Sequence, residues 1–188
     1  MRSVVIAALV ALVFIAVPAA AQHAGHQAPG TPVATAVAEI KGEGITATAK
    51  FSEVKQGTGS AVHVELTASG LKPGLHGVHL HAIGKCEPPA FTAAGGHFDP
   101  GPAGNTDPDA NHPYHMGDLP NLSVGDDGKG SFTAVTSRVT LTDGPLSVFD
   151  TDGTAIIIHA NPDQGITGEP KSGVSGGPRI ACGVLTKK

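Results

Sequence analysis

The sequence predicts an all-β fold, an antiparallel Greek-key β-sandwich or flattened barrel with two long functional loops, and three observations predict it. Apolar and polar residues alternate over runs rich in Val, Ile and Thr, the pattern of half-buried strands. Turn chemistry punctuates those runs at Lys72-Pro73-Gly74, Gly125-Asp126-Asp127-Gly128 and Asp150-Thr151-Asp152-Gly153. The chain carries 26 Gly and no Trp, which suits a backbone passing close to itself rather than a helical bundle.

Taken in order, the chain opens with Arg2, an apolar run over residues 4–17 and the small residues Ala19-Ala20-Ala21. This reads as an export signal over residues 1–21, so the protein is expected to be exported, periplasmic or secreted. The apolar run is short for a membrane span and no Cys follows it to carry a lipid, so no membrane anchor is expected. Residues 22–35 are low in large apolar groups and read as a flexible segment. His23 and His26 within it fit either a metal-catching tail or a solvated linker. Residues 36–188 form the β domain, with strands expected at 36–42, 45–56, 60–69, 74–81, 131–139, 155–159 and 179–185. The stretches 83–121 and 160–178 are too long to be ordinary hairpin connections, and such loops are usually functional. Each follows a strand that ends in histidine. The Asp150 turn resembles a calcium loop superficially but lacks the remaining ligands of one.

The chain holds 12 basic and 16 acidic residues. Removing residues 1–21 takes away only Arg2, so the exported chain is still more acidic, which argues against nucleic acid and anionic membranes as partners. Both cysteines, Cys86 and Cys182, lie beyond the signal. Two cysteines in an exported chain read as one oxidised pair, with two buried thiols the alternative.

His79 and His81 are separated by one residue on an expected strand, so their side chains share a face. Neutral imidazole is the commonest side-chain metal ligand, and the pair makes half a site. Alone, the pair fits surface chemistry equally well. Four segments follow it: Gly96-His97-Phe98-Asp99-Pro100, His112-Pro113-Tyr114-His115-Met116-Gly117-Asp118, Ile157-Ile158-His159-Ala160 and Pro178-Arg179-Ile180-Ala181-Cys182-Gly183. As an ordered set these resemble the copper/zinc superoxide dismutase family, of the bacterial exported (periplasmic) type, from about Ala38 to the C-terminus.

The resemblance implies copper held by His79, His81, His97 and His159, a nitrogen set that accommodates one-electron cycling. It implies zinc held by His97, His115 and Asp118, with His112 the fourth candidate, in the closed N/O arrangement of a structural site. His97 would bridge the two ions. The family usually places its first loop zinc histidine further upstream than His112, and Asp107 and Asp109 are possible substitutes in this rearranged region. Asp163 stands where the family has a carboxylate supporting metal-bound histidines, although an aspartate after Pro162 also suits a turn. His76 is expected to support the site through backbone hydrogen bonds, and His63 reads as an ordinary strand residue. Arg179 matches the family's channel arginine, which with His97 is the catalytic pair acting on superoxide. Its bland alternative is a surface arginine. A homodimer is left open. The competing function is a non-enzymatic copper/zinc-binding protein on the same fold; a zinc hydrolase would need a catalytic Glu beside an open three-ligand site, which this chain lacks.

Overall fold

Burial alternates along the first strands and so selects one face for the core. In β2 (Ile45–Gln56), Ile45, Ala47, Ala49 and Phe51 are buried while the residues between them face outward. β1 (Ala34–Gly42) and β3 (Gly59–Ser69) flank β2 as antiparallel partners through tight turns. This is a computed structural model, and it describes residues 30–100, 115–166 and 172–188. The expected signal, His23, His26, Asp107, Asp109 and His112 lie outside those residues.

The remaining strands are β4 (Gly74–His81), β5 (Asp118–Val124), β6 (Lys129–Thr136), β7 (Ala155–His159), β8 (Arg179–Val184) and the short β9 (Thr186–Lys187). They follow the order β2-β3-β6-β5-β4-β7-β8-β1, and β1 pairs back onto β2, so eight antiparallel strands close into a barrel with β9 lying along β1. Closure removes the free edges that would otherwise invite pairing with other chains. The β3–β4 and β6–β7 connections pass over neighbouring strands, as a Greek key requires. Inside the barrel, Ile40, Phe51, Leu66, Val78, Leu80, Leu122, Leu141, Ile156 and Ile158 are at most 1 % exposed.

Two departures from expectation have physical causes. Residues 118–121 are expected in the long 83–121 loop and residues 122–124 in no strand. They form β5, since Pro120 falls at a bulge: His76 pairs with Leu122 and Val78 with Leu119, leaving Pro120 and Asn121 opposite Gly77 alone. β6 stops at Thr136, short of residue 139, and residues 137–154 make a third long connection. A buried carboxylate holds that crossing. Glu53, 0 % exposed, accepts from the Leu141 N–H (2.8 Å), the Thr142 N–H (2.7 Å) and the Thr142 hydroxyl (2.9 Å).

All five residues of β7 are buried, because both faces are covered. Ile156 and Ile158 point into the barrel, whereas Ala155 and Ile157 join Phe91, Ala94 and Cys182 in a second apolar cluster outside it. The loop after β4 provides that cover. Cys86 and Cys182 are bonded as expected, with Cα atoms 5.6 Å apart. The bridge spans 96 residues, and a closed loop of that size contributes up to roughly 4–5 kcal/mol by restricting the unfolded chain.

Candidate metal centre

β4 carries His79 and His81 on the face turned away from Val78 and Leu80, so both imidazoles stand on the barrel wall under the loops. Both are 0 % exposed. Three neighbours bring further donors to that wall. β7 pairs with β4 and ends in His159. The loop after β4 returns so that His97 pairs with His81, fixed by the Phe98 N–H donating to the Leu80 carbonyl at 2.8 Å. β5 places Asp118 directly across from His79.

His79, His81, His97 and His159 converge, with one ligand-capable atom from each lying within 4.8 Å of the others. Their outward nitrogens are already committed. The His81 Nδ1–H donates to the Gly95 carbonyl (3.0 Å), and the His159 Nδ1–H donates to the Gly177 carbonyl (2.9 Å). The His79 Nε2–H donates to Asp163 Oδ2 (2.7 Å). Each ring therefore turns a lone pair inward, and the His81 and His159 Nε2 atoms face each other at 3.4 Å. His79 Nδ1 is buried with no hydrogen-bond partner. Buried lone pairs aimed at one point repel one another unless a cation sits among them, so this donor set fits copper. Protonation offers no escape. Burial, reinforced by the neighbouring imidazoles and by the charge of Arg179, pushes His81 and His159 well below the ordinary histidine range.

His97 faces a second group. Its Nδ1 lies 2.9 Å from Asp118 Oδ1 and 3.1 Å from His115 Nδ1, while the His115 backbone N–H donates to Asp118 Oδ2 at 2.8 Å. Burial lowers the His97 pKa, against the attraction of Asp118. Burial alone would raise the Asp118 pKa, but hydrogen bonds with His115 and His97 carry it far below the usual carboxylate range. Two imidazoles and an ionised carboxylate form a hard-to-borderline N/O set of the kind zinc takes. The expected fourth ligand, His112, is outside the described residues.

Around these groups lie the supporting contacts. Asp163 Oδ1 accepts from the Gly165 N–H (2.7 Å), and Asn121 pairs reciprocally with the Asp163 backbone, donating to its carbonyl and accepting from its N–H at 2.8 Å each. His76 sits with Nδ1 2.7 Å from the His159 carbonyl and Nε2 2.9 Å from the Lys72 carbonyl. These are backbone hydrogen bonds of the kind expected at His76 from the sequence. Arg179 is the ladder partner of His159 and donates through Nη1 to the Phe91 carbonyl at 2.9 Å. With His97, His159 and the glycine-rich strap at Gly173 and Gly177 it lines an open depression over the histidine cluster. Arg138 donates to the Asp118 carbonyl. Sequence reading missed Arg138, Asn121 and the carbonyls of Phe91, Gly95 and Gly177. Asn121 stands three residues after Asp118 in the sequence, and a backbone carbonyl has no signature in sequence.

Comparison with known proteins agrees with this geometry. The family model described as copper/zinc superoxide dismutase (SODC) matches residues 45–185. A superoxide dismutase [Cu-Zn] of Deinococcus radiodurans is 44 % identical over 151 residues, which cover 75 % of this chain and 77 % of that protein. Superoxide dismutase [Cu-Zn] 2 of Brassica juncea is 41 % identical over 147 residues, 76 % of this chain and 90 % of that one. The crystal structure of a SOD-like protein from Bacillus subtilis superposes with a TM-score of 0.64 at 32 % identity, covering 80 % of this chain and 97 % of the other.

Proposed function

The chain belongs to the copper/zinc superoxide dismutase family, and from that premise we propose how its own residues convert two superoxide anions and two protons into dioxygen and hydrogen peroxide. Copper bound by His79, His81, His97 and His159 supplies the one-electron couple, beside a structural zinc bound by His97, His115, Asp118 and His112. His97 carries this reading, because its ring belongs to both donor groups. With Nδ1 given to the Asp118 and His115 side as a zinc ligand, Nε2 would be the ring's one site for a proton, facing the other three histidines, and would pass that proton to reduced substrate. Water supplies the second proton. Gly95, Gly177 and Asp163 hold the remaining rings in one tautomer, so little reorganises during turnover. Arg179 attracts the anion and orients it at the mouth of the cluster.

The compartment follows from the same chemistry. We propose that residues 1–21 are removed on export; the expected boundary between a flexible segment 22–35 and the domain 36–188 moves upstream, because Ala34 and Thr35 already pair with β2 as the start of β1. The Cys86–Cys182 bond supports an oxidising location, periplasmic or extracellular.

Metal analysis of protein exported with its own signal, combined with a superoxide-decay assay and N-terminal sequencing, tests this reading. The expected result is copper and zinc in equal amounts, rapid decay abolished by chelation and restored by copper, and a mature chain beginning at Gln22. Fully metal-loaded protein with no decay above buffer would instead indicate metal storage or transfer.

A further inference from the structure

Phe91 is the one non-glycine residue with a positive φ among the described residues (φ 54°, ψ 26°). A bulky aromatic residue rarely adopts this left-handed conformation, and such strain persists only where surrounding structure imposes it. The surroundings here are specific. The Phe91 ring is 6 % exposed and packs outside the barrel with Ala94, Ala155, Ile157 and the Cys86–Cys182 pair. Its N–H donates to the Glu87 carbonyl (3.0 Å), and its own carbonyl accepts both the Ala94 N–H (3.2 Å) and Arg179 Nη1–H (2.9 Å). The segment is tied at Cys86 to Cys182, three residues beyond Arg179 on β8, and at Gly95 to the His81 ring.

We propose that Phe91 is a positioning residue for Arg179: its buried ring forces the left-handed backbone that aims its carbonyl at the guanidinium and holds that cation over the histidine cluster. Arginine has a long flexible stem, and ordering it before the substrate arrives removes a cost otherwise met on binding. A right-handed conformation at residue 91 would direct the carbonyl elsewhere and leave the guanidinium one anchor fewer. The proposal rests on reading Arg179 as the anion-attracting residue, and the experiment separates the two.

The test is a double-mutant cycle read by titration of copper/zinc-loaded protein with azide, a small anion followed through the visible spectrum, alongside superoxide decay, metal content and melting temperature. Phe91→Gly permits the conformation but removes the ring that enforces it; Phe91→Val keeps an apolar side chain but resists a positive φ. Both are expected to weaken azide binding by about threefold to tenfold and to flatten the dependence of the rate on salt, with metal content intact. Phe91→Leu, which refills the apolar cluster, should recover most of the affinity. In an Arg179→Ala background, Phe91→Gly should weaken azide no further. Unchanged azide affinity in metal-replete Phe91→Gly and Phe91→Val would overturn the proposal, as would equal losses with and without Arg179. If Arg179→Ala alone leaves azide affinity unchanged, the reading of Arg179 fails, and the proposal fails with it.

Discussion

A histidine ring has two ends, and at this site the outer end decides what the inner end can do. With Nδ1 of His81 and His159 held by backbone carbonyls and Nε2 of His79 held by Asp163, the opposite nitrogens become fixed acceptors. In the proposed function, Arg179 supplies the charge that meets an anionic substrate in an otherwise acidic protein. Its attraction is screened over about 8 Å near physiological salt, so the superoxide rate should fall as ionic strength rises. Arg179→Lys should keep much of the activity, since the charge persists with poorer geometry. Arg179→Glu should lose about tenfold or more and reverse the salt dependence while copper and zinc contents stay normal, as rates measured from low to high salt would show. Asp118→Ala should release zinc and lower the melting temperature before copper is lost, since this carboxylate joins His97 to His115. Zinc analysis of His112→Ala is the matching measurement. Unchanged zinc there would move the fourth ligand elsewhere, with Asp107 and Asp109 next in line.

Whole elements succeed here by being covered on both sides. β7 is continuously apolar until His159 because the barrel core lies beneath it and the disulfide-tethered segment above. β5 tolerates Pro120 because the bulge opposite Gly77 asks no hydrogen bond of it, and Gly77 itself donates to the Asn161 carbonyl at 2.8 Å. A side chain at residue 77 would come within 3.2 Å of the Asp163 nitrogen and 3.3 Å of the His79 ring, so glycine keeps the strand close to the loop bearing the carboxylate. The 137–154 crossing hangs on Glu53. Glu53→Ala would strand the buried Leu141 N–H and the half-buried Thr142 N–H and hydroxyl, costing about 3 kcal/mol in urea unfolding. Glu53→Gln, which keeps acceptor capacity, should cost less. Neither should change metal content, because Glu53 holds the crossing at Leu141 and Thr142, while Arg138, which contacts Asp118, lies at the other end of that stretch.

For the whole molecule, stability and metal binding share the same protons. In metal-free protein the folded-state pKa values of His81, His97 and His159 lie below the ordinary 6.5. As pH falls through about 6.5, the unfolded chain takes up protons that the folded chain refuses, so folding stability drops. Asp118, Asp163 and Glu53, with folded pKa values below their ordinary ones, act in the same direction at lower pH, where the unfolded carboxylates are protonated first. Melting temperatures of chelated protein should therefore fall from pH 8 to pH 5 and fall again below pH 4. Adding zinc and copper at neutral pH should raise the melting temperature, because ligands bound to the folded state alone stabilise it. A chelated protein whose melting temperature rose on acidification would contradict the buried neutral histidines described above.

Much of this was determined by the sequence alone, because it is local. Strand alternation places His79 and His81 on one face, the apolar run before His159 marks a doubly covered strand, and the order of the histidine segments carries the family resemblance. The same locality made seven of the eight barrel strands legible to within a few residues. Only the tertiary structure decided the rest. It made residues 118–124 a strand, through a bulge that no propensity foretells. It aimed the carbonyls of Phe91, Gly95 and Gly177 at Arg179, His81 and His159, and it set Asn121 against Asp163 and Arg138 against Asp118. These contacts join segments far apart in the chain, mostly through backbone groups that every residue possesses, so they come into being only when the barrel closes and its loops fold back over the wall.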